Sequence, residues 1–217
     1  MLDIKPHSLV CLQGTVQGVN LVIKFITIVL FMCLSITASA DSITDALDKD
    51  FVKSTLKDWI IKTYPKNVSY LTASKIANAV YNQSEANEIE FEMIVGIIST
   101  ESSFNTKAIS KEGATGLMQV IPKYHRVKIK GRSLFEPEVA IEVGTAVYKD
   151  CLNKYSLNNK KALSCYSGSS GGTANKYYST VMNKVNKFKD HLIMAMLTDQ
   201  IAYLGNVNYL HYYVGMS

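Results

Sequence analysis

The hydrophobic and polar positions beyond residue 40 follow a mostly helical pattern. In residues 43–63 apolar side chains recur at intervals of three to five residues, with charged side chains between them, which is the spacing of an amphipathic helix. Thr72 is a candidate cap for a second helix, and a third helix begins near Ile89 with hydrophobic residues on nearly every side. Helical patterns return at residues 138–155, around 160–167 and from about 173 to 189. The pattern predicts a mainly α fold whose third helix runs through the middle of the domain.

Two stretches break the helical pattern. After Ser102 the residues Ser, Asn, Thr and Gly recur, so we expect a short irregular or β-hairpin segment around residues 103–122. A glycine-rich run at 168–172 separates the last two helical patterns. Residues 191–217 are poor in charge and rich in Tyr, Leu and Met, which predicts either a further helix packed on the domain or an adhesive surface.

An uncharged run from Phe25 to Ala38 contains 11 hydrophobic residues among its 14 positions. Lys24 precedes it, and the small residues Ala38 and Ala40 occupy the positions that a signal peptidase reads. A membrane-spanning helix needs about 20 apolar residues, which makes a retained anchor the weaker alternative. We therefore expect residues 1–40 to be a secretory signal peptide and the protein to be exported to the periplasm or cell envelope, meeting the membrane only through that peptide.

Composition fits one compact exported domain. The chain is 47% hydrophobic, only 19% charged and carries a net charge of +5, which argues against disorder. Cleavage after Ala40 would leave 177 residues with a net charge of +4 and two cysteines, Cys151 and Cys165. An oxidising compartment makes a disulfide between them plausible, and two buried thiols are the alternative.

Several kinds of chemistry lack their sequence signatures. The histidines after residue 40, namely His125, His191 and His211, do not have the spacing of metal ligands, so no metal site is predicted. There is no phosphate-binding GxxxxGK loop and no GxSxG nucleophile turn. Basic residues are dense only between Lys123 and Arg132, without the aromatic platforms that nucleic-acid binding favours. We expect no cofactor and no nucleic-acid partner.

Glu101 directly follows the most hydrophobic helix and begins the irregular segment. A carboxyl group at the end of a buried helix is partly desolvated, which raises its pKa and makes it a proton donor near neutral pH. The alternative is an ordinary solvated glutamate at a fraying helix end.

The residues around Glu101 form an ordered motif. Glu101-Ser102, Ser110, Gly113-Ala114, Gly116-Leu117-Met118-Gln119 and Pro122 follow one another at fixed intervals. In this the chain resembles the lytic transglycosylase family of the soluble, goose-lysozyme-like type. Two further segments, LFEPEVAIEVGTAVY at 134–148 and ALSCYSG at 162–168, are similar to later elements of that family, and Tyr177 or Tyr178 matches its closing helix.

The resemblance implies a lysozyme-like single domain over residues 75–188. It leaves an N-terminal helical extension at 41–74 and a C-terminal tail at 189–217. It further implies cleavage of the β-1,4 bond between N-acetylmuramic acid and N-acetylglucosamine in peptidoglycan, with formation of a 1,6-anhydro end.

The resemblance also implies roles for individual residues. Glu101 would be the catalytic acid and then base, and the positions of Ser110, Met118, Gln119 and Tyr166 would bind substrate. Read from its residue type, Met118 is mainly a packing or cleft-wall residue, and Tyr166 could instead hydrogen-bond and orient Glu101. The structural positions of the motif are Ser102, Gly113, Gly116 and Gly168.

The chain departs from the family pattern at Ser167, where an Asn is usual. A serine hydroxyl has a shorter reach than an Asn amide, which affects substrate positioning but leaves the acid in place. Two alternatives therefore stay open: a goose-type lysozyme that uses water, and a non-catalytic peptidoglycan-binding assembly factor. Small exported members of the family often serve a secretion or conjugation machine, and we expect such a specialised role here.

Overall fold

A computed structural model of the protein describes residues 49–214, and describes side chains through residue 202. The chain divides into two compact units, Met1–Asp50 and Phe51–Ser217, and nearly all described residues belong to the second. The predicted signal peptide lies outside the described residues. No helix in the described part of the chain is long and apolar enough to cross a membrane.

The described chain is almost entirely helical, which confirms the mainly α prediction. The first described helix, α1, covers residues 49–63. Six α-helices and one short 3-10 helix follow it in the described residues: α2 (Tyr70–Asn87), α3 (Phe91–Glu101), the 3-10 helix Pro122–Tyr124, α4 (Arg126–Ile129), α5 (Pro137–Lys154), α6 (Asn159–Ser167) and α7 (Gly171–Val214).

Helix α2 begins at Tyr70, two residues before the predicted cap at Thr72. Its N-cap is Ser69, whose hydroxyl accepts a hydrogen bond from the backbone N–H of Thr72 at 3.2 Å. Serine is as good a cap as threonine, and both hydroxyls lie within 2.9 Å of each other here. The prediction that Thr72 caps α2 was therefore wrong by three residues, because Ser69 accepts the capping hydrogen bond and Thr72 donates it.

Helix α3 lies in the middle of the core, as its sequence predicted. Seven consecutive residues, 93–99, are buried, so the helix has neighbours on every side. Gly96 allows α7 to approach closely, because a Cβ atom there would lie 2.5 Å from a methyl group of Val185. Helix α1 joins the same core through Trp59, whose ring centroid is 5.0 Å from that of Phe188 on α7.

The segment between α3 and the 3-10 helix is irregular, as expected for residues 103–122. Among the described residues it contains only isolated β-bridges, between Ile109 and Thr115 and between Thr115 and Val120. Gly116 is required at its position, because its φ is +76° and a Cβ atom would lie 2.0 Å from the carbonyl oxygen of Leu134.

Helix α7 continues well beyond the predicted end near residue 189. It begins at Gly171 and reaches Val214 without a break, so the described part of the tail, up to Val214, continues this helix. Val181, Val185 and Phe188 are buried in the core. Large apolar side chains on the following turns are exposed, including Ile193, Met194, Met196, Leu197 and Ile201.

Candidate active site

An open cleft of about 680 Å³ crosses the domain at the end of α3. Its lining comes from the end of α3, the irregular segment, the 3-10 helix with His125, Val147 of α5, the end of α6 with the turn that follows it, and the start of α7. The polar and aromatic residues of this lining include Glu101, Ser110, Glu112, Gln119, Tyr124, His125, Cys165, Tyr166, Ser167, Ser169 and Tyr177.

Glu101 is the last residue of α3 and faces this cleft. Burial raises the pKa of its carboxyl group, and a hydrogen bond from Tyr177 partly opposes that rise. This partly desolvated environment is the one that we expected from the position of Glu101 at the end of a buried helix. At neutral pH such a group retains its proton more often than a solvated glutamate does, as a general acid must.

Tyr177, and not Tyr166, holds the Glu101 carboxyl group. The Tyr177 hydroxyl donates a hydrogen bond to Oε1 of Glu101. Tyr166 instead donates its hydroxyl to the backbone carbonyl of Met118 at 2.6 Å, so the prediction that Tyr166 bonds to Glu101 was wrong. The physical reason is the close packing of α7 on α3, which brings the first turns of α7 over the end of α3.

Tyr166 still lies in the cleft wall, next to the acid. Its ring packs edge-on against Tyr148 with centroids 6.0 Å apart. Burial and the nearby negative charge of Glu101 raise the pKa of its hydroxyl well above the ordinary value. Tyr166 therefore stays a neutral hydrogen-bond donor at any physiological pH.

Met118 does not line the cleft, which corrects its assignment as a substrate-binding residue. Its side chain is only 1% exposed. The Met118 side chain fills the space above Gly144, where a Cβ atom would lie 2.5 Å from the Met118 sulfur. The hydroxyl of Thr145 points at the same sulfur at 3.9 Å. Packing is thus its role, and only its backbone carbonyl serves the site, through Tyr166.

Ser110 and Gln119 both reach the cleft, and both also stabilise the irregular segment. The Ser110 hydroxyl donates to Glu112 at 2.9 Å and accepts the backbone N–H of Ala114 at 3.2 Å. Gln119 donates its amide to the carbonyls of Gly116 and Ala108, at 2.9 and 3.2 Å. These contacts fix the loop that forms one wall, and substrate binding by the two residues stays a prediction.

The motif residues hold the local backbone. Ser102 donates its hydroxyl to the carbonyl of Leu117 at 2.8 Å, which ties the end of α3 to the far side of the irregular segment. Gly113 and Gly168 have φ of +82° and +64°, values that favour glycine. Gly168 caps α6 in this conformation and turns the chain toward α7.

The rim of the cleft at the end of α6 is rich in serine hydroxyls. The hydroxyls of Ser167 and Ser169 are hydrogen-bonded to each other, and both residues line the cleft. Ser164 donates its hydroxyl to the carbonyl of Ser169 at 2.7 Å, which holds the turn closed. A pair of serines therefore stands where the family pattern has an Asn.

Cys151 on α5 and Cys165 on α6 form a disulfide in the structure, with Cα atoms 5.8 Å apart. Cys165 lines the cleft and precedes Tyr166 directly. The bond therefore joins the helix that carries the rim to the longer helix α5.

Sequence reasoning missed two residues of the cleft, Tyr124 and His125. Both lie within three residues of Pro122, the last residue of the motif. That closeness to the motif was the only feature of the sequence that could have indicated a place in the cleft. Burial and the nearby Lys128 lower the pKa of His125, so the imidazole is mostly neutral at neutral pH. Within the described residues no three His, Cys, Asp or Glu side chains converge as metal ligands.

A buried acid beside an open groove is the arrangement of a glycan-cleaving site that works by proton transfer. Residues 78–188, about half of the chain, match the family Transglycosylase SLT domain. The chain therefore belongs to that family.

Curated relatives bear the name membrane-bound lytic murein transglycosylase C. The protein from Mannheimia succiniciproducens is 31% identical over 148 residues, which cover 58% of this chain and 41% of that protein. The protein from Pectobacterium atrosepticum is 39% identical over 95 residues, or 38% of this chain and 26% of that protein. The chain thus matches less than half the length of these relatives.

Among solved structures, the chain is similar to the 70 kDa soluble lytic transglycosylase SLT70 from Escherichia coli. The match has a TM-score of 0.40 and 22% identity, and covers 53% of this chain and 20% of that one.

Proposed function

We propose that the protein is a lytic transglycosylase that cleaves the β-1,4 bond between N-acetylmuramic acid and N-acetylglucosamine in peptidoglycan. The observation that carries the proposal is Glu101, a carboxyl group with a raised pKa that faces an open cleft. Family membership supports the same substrate, because the curated relatives are named for murein.

The reaction needs one group that first gives and then takes a proton. Protonated Glu101 donates its proton to the glycosidic oxygen as the bond from that oxygen to C1 of the muramoyl unit breaks. The substrate's own acetamido oxygen then stabilises C1. The muramoyl 6-hydroxyl attacks C1 and returns its proton to the Glu101 carboxylate, which closes the 1,6-anhydro ring without consuming water.

Tyr177 is a positioning residue in this scheme. Its hydrogen bond fixes the Glu101 carboxyl group and lowers its pKa somewhat against the effect of burial. The acid is thereby kept protonated often enough to donate, while its ionised form is stable enough to accept the second proton. Activity should fall as pH rises through the pKa of Glu101, because the donor form is then lost.

A second carboxylate, as most glycosidases have, would favour hydrolysis instead. Glu112 also lines the cleft, but its carboxylate accepts the hydroxyl of Ser110 and its side chain is exposed. Glu112 is thus a solvated carboxylate at the rim, whereas Glu101 lies half-buried at the end of α3. We assign the acid–base role to Glu101 alone.

The test is digestion of purified sacculi by the wild type and by Glu101→Gln. Loss of general acid–base catalysis is expected to lower turnover by about a factor of 10³. Glu112→Gln is the matched control, because it makes the same change in the same cleft and should retain activity. Intact sacculi with the wild type, or equal release of muropeptides by Glu101→Gln, would contradict the proposal.

Product mass separates this reaction from that of a lysozyme. An anhydro product is lighter than the hydrolysed one by one water, so mass spectrometry of the released muropeptides decides between them. A protein that binds sacculi but releases no soluble muropeptides would be the non-catalytic assembly factor.

We further propose that the protein is exported and opens the wall locally for a trans-envelope secretion or conjugation machine. What supports this is the exposed apolar surface on the second half of α7, after Phe188. Truncation after Asp190 should leave cleavage of sacculi intact and abolish capture of the machine's components. Truncation that changes neither folding nor capture would reject docking through α7.

A further inference from the structure

A basic strip follows the motif, and two of its residues, Tyr124 and His125, line the cleft. We define it as residues 123–132, which contain Lys123, Arg126, Lys128, Lys130 and Arg132. No Asp or Glu occurs between Gly113 and Phe135, so the local charge is strongly positive within a chain of net charge +5.

Two of these cations already have acidic partners. Lys128 lies 2.8 Å from Asp150, and Arg132 makes a two-pronged contact with Glu142 at 2.7 and 2.8 Å. Lys123 and Arg126 differ from them, because neither forms a salt bridge with any described residue. Lys123 lies over the Tyr124 ring with its nitrogen 4.7 Å from the centroid, a contact that leaves its charge uncompensated.

Lys123 and Arg126 line a second depression, of about 500 Å³, with Pro122, Ile129 and Gly131. One short segment of the chain contributes residues to both this depression and the cleft. Pro122 and Lys123 face the depression, while their neighbours Tyr124 and His125 face the cleft. A group that extends from a sugar in the cleft past Tyr124 and His125 would therefore come to the depression that Lys123 and Arg126 line.

Peptidoglycan carries such a group. Every second sugar of its glycan strand is a muramic acid, whose lactyl ether holds a short peptide stem with free carboxylates. Arginine and lysine are the natural partners of carboxylates, and an apolar floor such as Pro122 and Ile129 fits the aliphatic parts of a peptide.

We propose that the basic strip binds the carboxylates of the peptide stems, so that the protein prefers strands with stems over stem-free strands. This inference rests on the proposed function, since it places a muramoyl unit in the cleft. It goes beyond it by naming Lys123 and Arg126 as residues that determine specificity.

The test compares two substrates that share one glycan: uncross-linked strands that keep their stems, and the same strands after an amidase has removed the stems. The variant is Lys123→Gln/Arg126→Gln. The control is Lys62→Gln/Lys187→Gln, which removes the same charge from exposed residues that line neither depression. Because the altered side chains are exposed, all variants should fold.

The expected result is a fall of roughly fivefold in kcat/KM of the strip variant on stem-bearing strands, the size of two exposed ion pairs. Its kcat/KM on stem-free strands should equal that of the wild type, and the control variant should match the wild type on both. Equal kcat/KM of strip variant and wild type on stem-bearing strands, or an equal loss on both substrates, would overturn the inference.

A binding experiment keeps the inference separate from the proposed function. In a Glu101→Gln background, co-sedimentation with stem-bearing strands should weaken when Lys123 and Arg126 are replaced, whether or not the protein turns over substrate. A wild type that cleaves neither substrate refutes the proposed function alone. Unchanged strand binding together with weaker binding to anionic lipid vesicles would assign the strip to a membrane surface and overturn the inference.

Discussion

The two walls that meet at the cleft are held in place by different forces. The glutamate wall, formed by the end of α3 and the start of α7, belongs to the main core, where Gly96 lets the two helices pack closely. The serine rim, formed by the end of α6 and residues 167–169, belongs to a helix of 9 residues with only two buried side chains, Ala162 and Leu163. A disulfide to α5 adds a covalent link to this helix.

This comparison shows how a small domain can hold its catalytic acid rigidly in the core while the residues that contact substrate lie on a less tightly packed helix. Burial of residues 93–99 in a dense core fixes the helix that carries Glu101, and the hydrogen bond from Tyr177 holds its carboxyl group. The rim buries too little apolar surface to be fixed in that way, so a covalent bond and serine hydroxyls hold it. Changes in the rim should therefore affect stability and substrate binding, and changes in the glutamate wall should affect proton transfer.

Removal of the disulfide should have the largest effect. Cys151→Ala/Cys165→Ala opens a loop with a sequence separation of 14 residues. It should lower the free energy of unfolding by about 3 kcal/mol, because the unfolded chain gains the freedom that the bond had removed. Urea unfolding of the variant and of the oxidised wild type measures this, and the reduced wild type is the control. Equal midpoints for all three would mean that packing alone holds the rim.

Loss of the Tyr177 hydroxyl should have the next largest effect, and this effect should be on proton transfer by Glu101. Tyr177→Phe removes one hydrogen bond to the carboxyl group, so activity at neutral pH should fall about tenfold. That hydrogen bond lowers the pKa of Glu101, so its removal raises this pKa further. The donor form then persists to higher pH, and the falling limb of the pH profile moves to higher pH.

Tyr166→Phe is the matched control for this shift. It removes an equivalent hydroxyl from the same cleft, but that hydroxyl bonds to the Met118 carbonyl and not to Glu101. Its pH limb should stay where the wild type has it. If both variants move the limb equally, the contact between Tyr177 and Glu101 does not set the pKa.

A change in the rim itself should have the smallest effect. Ser167→Asn restores the residue that the family pattern has and offers both a donor and an acceptor with a longer reach. We expect KM for sacculi to fall about twofold to threefold, the value of one modest hydrogen bond, with kcat unchanged. Ser179→Asn, on an exposed face of α7, is the control. A change in kcat in place of KM would show that the rim takes part in proton transfer after all.

The sequence predicted the parts of the fold that depend on local pattern. The position of α3 followed from an unbroken apolar run, and the environment of Glu101 followed from the place where that run ends. The irregular segment followed from its glycines and small polar residues. Each of these properties depends on residues that are neighbours in the chain.

The rest depends on contacts between distant residues, which no local pattern contains. Tyr166 and Tyr177 both lie near Glu101. Only the packing of α7 on α3 decides that the hydrogen bond comes from Tyr177. Met118 lies in an irregular segment without a helical period, so the local pattern did not decide between packing and substrate binding, and only its burial against Gly144 on α5 decides for packing. The length of α7 was missed because its second half has too mixed a composition to continue the amphipathic pattern.

A buried tryptophan makes the packing of the core measurable by fluorescence. Trp59 is the single tryptophan of the chain and is buried, with its ring edge-on to Phe188 of α7 and to Phe104 of the irregular segment. Its fluorescence therefore reports on one spot where α1, α7 and the beginning of the cleft loop meet. Because no other indole contributes, separation of α7 from the core could be followed in the unlabelled protein as a red shift of that emission.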